Sequence, residues 1–143
     1  MSSVPSFDSS VFSTLPCSKK FNKPWGYEVH WVPEDAPYMG KLIHINSGAR
    51  LSLQVHDKKQ ESWFLVKGKA AVSWQDESGE MVETQLKHGC GYSTKVGQKH
   101  RLIGVTDCDI IEVSTPEDGT TYRLEDDYLR PDETPEQRQL ERQ

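Results

Sequence analysis

The sequence predicts an all-β fold, a two-sheet jelly-roll barrel followed by a short C-terminal helix, and three observations carry that prediction. Short apolar runs recur between turn-forming clusters from Tyr27 to Val113. The runs are rich in Val, Ile, Trp and Tyr, residues that suit a pleated, half-buried surface. Before Thr134 no segment repeats its apolar residues at helical spacing.

Taken in order, residues 1–20 read as a flexible arm, because Ser, Pro and Thr offer little side-chain area to offset the entropy lost on ordering. Folded structure is expected to begin near Lys23-Pro24-Trp25-Gly26. Tyr27 to Val32 alternates, Pro33 to Pro37 interrupts, Lys41 to Ile45 alternates again, and Asn46-Ser47-Gly48 turns. Further strands are expected at Leu51–His56, Ser62–Val66, Ala70–Trp74, Met81–Leu86, Tyr92–Thr94, Arg101–Val105 and Asp109–Val113, with Asp76-Glu77-Ser78-Gly79 as a hairpin turn. The barrel then spans residues 21–130, leaving 131–143 as a tail or short helix. Thr134 followed by Pro135 has the form of an N-cap and first helical residue, although Leu140 is the sole large apolar side chain over 135–142.

At 143 residues the chain is the size of one domain. No apolar run approaches the ~18 residues of a membrane-spanning helix. The net charge of −5 opposes a nucleic-acid backbone, so nucleic acid and membrane are both excluded as expected partners, while a local pocket for an anionic small molecule is compatible with it. Met1 to Ser13 carries no basic residue and no continuous apolar segment, which fits neither a secretory signal nor a transit peptide and sets a cytoplasmic expectation. Cys17, Cys90 and Cys108 are odd in number and contain no C-x-x-C pair, so they are expected to be reduced thiols.

Chemistry concentrates between Gly48 and Gly104. Gly48, Gln54, His56, Glu61 and Gly68 follow the spacing G-x5-H-x-H-x3,4-E-x6-G, with Gln54 in the first histidine's place. Gly89, Lys95, Gly97, His100 and Gly104 follow G-x5-P-x-G-x2-H-x3-N, with Lys95 for proline and Gly104 for asparagine. These are the two motifs of the cupin superfamily, and the chain resembles it; the resemblance implies the cupin form of the jelly roll, a double-stranded β-helix. Strand geometry gives the spacing chemical meaning by itself, since side chains two apart share a face and Gln54 and His56 would therefore both point inward. Glu61 opens the next strand and His100 arrives from one much later in the chain. Four such N and O donors inside an apolar barrel are costly to bury unless something satisfies them, and a single divalent cation does so. Gln54, His56, Glu61 and His100 are accordingly the expected ligands of one transition metal, and a thiolate-free set of this kind suits Mn, Fe, Co, Ni or Zn without choosing among them. His30, His44 and His88 lack partners at ligand spacing and read as ordinary strand or surface residues.

A closer resemblance covers about Lys23 to Arg130. Lys23-Pro24-Trp25-Gly26-Tyr27, Leu51-Ser52-Leu53-Gln54-Val55-His56, Glu61-Ser62-Trp63-Phe64-Leu65-Val66-Lys67-Gly68 and Arg123-Leu124-Glu125-Asp126-Asp127-Tyr128-Leu129-Arg130 are similar to the motifs of the type II mannose-6-phosphate isomerase cupins. In that family the glutamine is an ordinary ligand. The resemblance implies conversion of mannose 6-phosphate to fructose 6-phosphate through a cis-enediolate, with Lys59 and Arg130 as catalytic candidates and Lys41, Ser52 and Arg123 as substrate-binding ones. Basic residues at the mouth of the barrel would hold the phosphate. Two departures from the pattern stand out: Asp57-Lys58-Lys59-Gln60 replaces a histidine-rich stretch ending with an arginine, and Leu129 replaces the glycine of the terminal motif. A metal-dependent oxygenase or other enzyme acting on another small molecule, and a noncatalytic metal- or sugar-binding module, are the alternative functions. Sheet edges and an arm able to add a strand to a neighbour suggest a homodimer.

Overall fold

A computed structural model describes residues 3–143. Eleven strands and one α-helix follow in order: β1 (Lys19–Lys23), β2 (Gly26–His30), β3 (Met39–Ile45), β4 (Leu53–His56), β5 (Glu61–Lys67), β6 (Ala70–Gln75), β7 (Met81–Gln85), β8 (Gly91–Ser93), β9 (His100–Gly104), β10 (Cys108–Ser114), β11 (Thr121–Glu125) and α1 (Pro135–Glu141). They form two antiparallel sheets, β1-β2-β3-β10-β5-β8 and β11-β4-β9-β6-β7, packed face to face as a jelly roll. Among the described residues no helix is long and apolar enough to cross a membrane.

The predicted strands form, and two more join them. Lys19 to Lys23 pairs with β2, so the end of the segment read as an arm supplies an edge strand to its own sheet. Its one apolar side chain, Phe21, packs against His30 with ring centroids 4.6 Å apart, too little pattern to read from sequence. Strand β11 pairs with β4 and carries the reverse of the usual polarity: Tyr122 and Leu124 face outward while Thr121 and Arg123 face in. The hairpin at Asp76 forms as expected, its Oδ1 accepting from the Ser78 and Glu80 N–H groups.

Register decides what lines the interior. In the first sheet Ile43, Ile110 and Leu65 lie side by side on β3, β10 and β5, and two residues along the strands His30, Lys41, Glu112, Trp63 and Tyr92 form a parallel row on the same face. In the second sheet Val72 lies beside Leu102, and two residues along, Arg123, Gln54, His100 and Trp74 stand in line. The barrel therefore has an apolar end, built from Trp25, Ile43, Ile45, Leu65, Val72, Leu86, Leu102 and Ile110, and a polar end. Trp63 and Trp74, with ring centroids 6.2 Å apart, lie at the boundary.

Gly68 turns β5 into β6 with φ 82°, and a Cβ there would lie 2.1 Å from the Asp107 carbonyl oxygen, which is why no other residue fits. After β11 the Arg123-to-Arg130 motif knits its own turn. Asp126 accepts from the Arg130 backbone N–H at 2.8 Å and from its guanidinium at 2.8 and 3.1 Å, and Leu129 takes the left-handed conformation, φ 56°, that glycine would adopt without strain. Helix α1 forms as the Thr134-Pro135 cap predicts, with the Gln137 N–H donating to Thr134 Oγ1. Charge holds it down. Leu140 is exposed, whereas Arg138 is buried against Glu133, and Glu141 accepts two bonds from Arg123 at 2.7 and 2.8 Å.

Leu129→Gly should raise stability by about 1 kcal/mol in denaturant unfolding, since it removes a strained φ from an otherwise solvent-exposed side chain. Burial alone would raise the Glu141 carboxyl, but hydrogen bonds from Arg123 and Gln137 bring it down to about 2. A depressed carboxyl stabilises the fold above its unfolded pKa, so the difference in Tm between the parent and Glu141→Gln should be full at neutral pH and shrink as pH falls from ~4.5 towards 2. A difference that stayed constant over that window would contradict the pairing.

Candidate functional site

At the polar end Gln54 and His100 are direct cross-strand partners, His56 lies two residues along β4, and Glu61 begins β5. One nitrogen of each of the two imidazoles and one Glu61 oxygen all lie within 4.8 Å of one another, and all three side chains are buried. Glu61 Oε1 is 2.8 Å from His100 Nε2 and 3.3 Å from His56 Nε2, while Gln54 Nε2 is 3.3 and 3.4 Å from the same two ring nitrogens. Hydrogen bonds behind the rings set their orientation: His100 Nδ1 donates to the Gln98 carbonyl at 2.9 Å, and His56 Nδ1 pairs with Thr121 Oγ1 at 2.8 Å. A carbonyl can only accept, so His100 Nδ1 carries a proton there, and Nε2 is the ring atom that faces Glu61.

This donor set fits a divalent cation. Two lone pairs and a carboxylate converge on one point, and Glu61 Oε2 is buried without a hydrogen-bond partner. Burial pushes the His56 imidazole down, which favours the neutral, ligating form. Burial opposes the Glu61 charge, yet Lys59 and the two rings outweigh it and hold the carboxyl well below its usual range. Gln54 Oε1 accepts from Ser52 Oγ at 2.8 Å. A half-turn of the amide would offer its oxygen to the same point and its NH2 to the Ser52 hydroxyl, which can equally accept.

The other predicted residues line the same cleft, but in different circumstances from those expected. Lys41 and Lys59, anticipated at a solvated mouth, are 4% and 7% exposed. Lys59 Nζ lies 3.3 Å from Glu61 Oε2, 3.7 Å from Glu112 Oε2 and 3.7 Å from Glu117 Oε1; Lys41 Nζ contacts Glu117 Oε1 and lies 3.5 Å from Glu28 Oε1. Burial would lower both ammonium groups, and the surrounding carboxylates reverse this, raising Lys41 and holding Lys59 well above the ordinary lysine value. Arg123 is tied to Glu133 and Glu141, and Arg130 to Asp126, so both line the cleft with their forks already engaged. The cleft encloses about 50 Å³, against the roughly 300–1,000 Å³ usual for a small-molecule pocket.

Four acidic residues that sequence reading missed, Glu28, Glu112, Glu117 and Glu133, also line the cleft, and two of them stand out. Glu112 accepts from Trp63 Nε1 at 3.1 Å through one oxygen and buries the other without a hydrogen-bond partner; burial and the neighbouring Glu61 raise its carboxyl to about 8. Glu117, in the loop between β10 and β11, sits among Lys41, Lys59, Arg138 and Arg142. A parity signal existed for Glu112, which shares its strand face with Ile110. No comparable signal marks Glu117.

The mannose-6-phosphate isomerase C-terminal family matches residues 13–133. The alginate biosynthesis protein AlgA of Pseudomonas aeruginosa is 33% identical over 113 residues, 76% of this chain and 22% of its own length. The xanthan biosynthesis protein XanB of Xanthomonas campestris is 32% identical over 119 residues, 81% of this chain and 23% of its own. The chain thus spans less than a quarter of the length of these relatives. Among solved structures the fold is shared with the Lactobacillus farciminis oxalate decarboxylase formate complex, at TM-score 0.66, 20% identity and coverage of 80% of this chain and 37% of that one. KdgF from a Halomonas species gives 0.58 and 16%, over 70% of this chain and 87% of that one. The family match over residues 13–133, together with the jelly roll, identifies this chain as a cupin of the mannose-6-phosphate isomerase C-terminal family.

Proposed function

We propose that the chain is a metal-dependent aldose–ketose isomerase of a phosphorylated sugar, interconverting mannose 6-phosphate and fructose 6-phosphate. The observation that carries this reading is the convergence of Gln54, His56, Glu61 and His100 at the polar end of a barrel of that family. These four residues hold the cation. When bound, a divalent metal supplies Lewis-acid polarisation of the sugar oxygens and positive charge to offset a developing enediolate. Ser52 fixes the Gln54 amide, and the Nδ1 bonds of the histidines keep their rings in place.

Proton movement falls to the chain's own groups. Lys59 and Arg130, the catalytic candidates, are both cations; Lys59 is held charged by its carboxylate neighbours and Arg130 commits Nε and Nη2 to Asp126, so Lys59 Nζ and Arg130 Nη1 are the groups that donate to substrate oxygen, and neither takes a proton from carbon. The base is Glu112, whose Oε2 accepts no hydrogen bond and whose Oε1 is steadied by Trp63. Lys41 and Arg123 add positive charge at the same cleft for an anionic substrate. A second reading, oxygen chemistry, rests on the two-histidine, one-carboxylate set of His56, Glu61 and His100.

Metal analysis of purified protein should find near-stoichiometric metal in the parent and about tenfold or greater loss of affinity in His56→Ala, on the order of 1.4 kcal/mol, with Gln54→Ala also weakened. Equal occupancy in all three would refute the ligand assignment. Under anaerobic conditions the metal-loaded chain should convert mannose 6-phosphate to fructose 6-phosphate, followed by NMR. Glu112→Gln should lower kcat by about 100-fold or more at unchanged metal content. Oxygen consumption without isomerisation would favour the second reading, and saturable sugar binding without turnover would leave a binding module.

A further inference from the structure

We propose that Lys41, Lys59, Arg138 and Arg142 form an anion subsite for a phosphate monoester, and that the Glu117 carboxylate is its resident occupant, displaced when phosphate enters. The identity of the phosphorylated substrate rests on the isomerase reading; the subsite itself rests on the following geometry.

Glu117 reaches back from an irregular loop to bury its carboxylate, with the side chain 10% exposed. Lys41 Nζ contacts its Oε1, Arg142 Nη2 lies 3.4 Å and Lys59 Nζ 3.7 Å from the same oxygen, and Arg138 Nε lies 3.8 Å from Oε2. Four cations, two from the barrel, Arg138 from α1 and Arg142 from its C-cap, surround one single-charged planar group. Lys41 also has Glu28 and Glu112, Lys59 has Glu61 and Glu112, and Arg138 has Glu133, but Arg142 has no other carboxylate within ion-pair distance among the described residues. Arg142 Nε is in addition buried without a hydrogen-bond partner. A tetrahedral dianion brings twice the charge and more acceptor oxygens to the same donors.

The occupant is also free to leave. Its loop is tied at one end by the Thr115 N–H on the Gln60 carbonyl and at the other by the Thr120 N–H on Asp57 Oδ1. Between these ties Pro116 has no N–H, the Glu117 and Asp118 N–H groups donate no hydrogen bond among the described residues, and the Gly119 carbonyl accepts from Arg138 Nη2 at 3.1 Å, a tie to the cage itself. Displacement would enlarge a cleft now too small for a sugar phosphate. Position fits as well. Lys59 Nζ spans from Glu61 Oε2 at 3.3 Å to Glu117 Oε1 at 3.7 Å, so the cage adjoins the metal cluster through one side chain, and a sugar with its carbonyl end at the cluster directs its phosphate toward the cage. Arg138 and Arg142 lie beyond residues 13–133, the extent of the family match, which makes half of the cage an addition outside it.

The test is isothermal titration of the chelator-treated full chain with inorganic phosphate at constant ionic strength, with folding of each variant checked by circular dichroism. The parent should bind saturably, Glu117→Gln about tenfold more tightly and Arg142→Gln about tenfold more weakly, each a shift of ~1.4 kcal/mol. Should Glu117→Gln not fold, hydrogen exchange on the parent decides: saturating phosphate should loosen the protected Thr115 and Thr120 amides. Absence of binding, equal affinity in the folded variants, or unchanged protection at saturation would each overturn the subsite. Since no metal or turnover enters these measurements, phosphate binding as described by a chain that does not isomerise sugars supports the subsite and refutes only the isomerase reading.

Discussion

The polar end of the barrel depends on one constraint: ionisable side chains that strand alternation turns inward must find their counter-charges inside the protein. Lys41, Lys59, Glu61, Glu112 and His100 are each less than one-tenth exposed. An isolated charge at such a position costs several kcal/mol, so these groups persist only as a mutually compensating set. The network reaches from β2 through β3, β10 and the loop before β5 to α1, and it explains why a helix with an exposed Leu140 and little apolar surface docks at all.

The fold was legible because the sequence alternates where the sheets are half-buried and turns where glycine relieves strain. β11 escaped detection for a physical reason. Its inward residues, Thr121 and Arg123, are polar because they face the site and α1, so hydrophobic alternation points the wrong way. β1 was hidden for a different reason, since Phe21 is its one apolar side chain. Leu129 shows the reverse case, a residue whose chemistry argued against a tight turn that the surrounding Asp126–Arg130 bonds enforce.

The metal-type cluster was legible from spacing, since Gln54, His56, Glu61 and His100 sit where strand parity and motif intervals bring them together. The charged surroundings were not. Lysines ordinarily reach solvent, and nothing local in Asp57-Lys58-Lys59-Gln60 distinguishes the buried Lys59 from the exposed Lys58. Glu117 lies 56 residues from Glu61 in sequence and in a loop without periodicity, so its place among the cations follows only from the assembled barrel.

The aromatic layer of Trp63 and Trp74 divides the barrel interior into two territories with different obligations. Below it, shape complementarity among aliphatic side chains maintains the scaffold. Above it, a mutually compensating set of polar and charged groups can differ as a set while that scaffold stays intact. Such a partition lets a lineage explore new ligands without renegotiating how its chain folds, and it offers a physical reason for a single jelly roll to serve proteins as different as an oxalate decarboxylase and this chain.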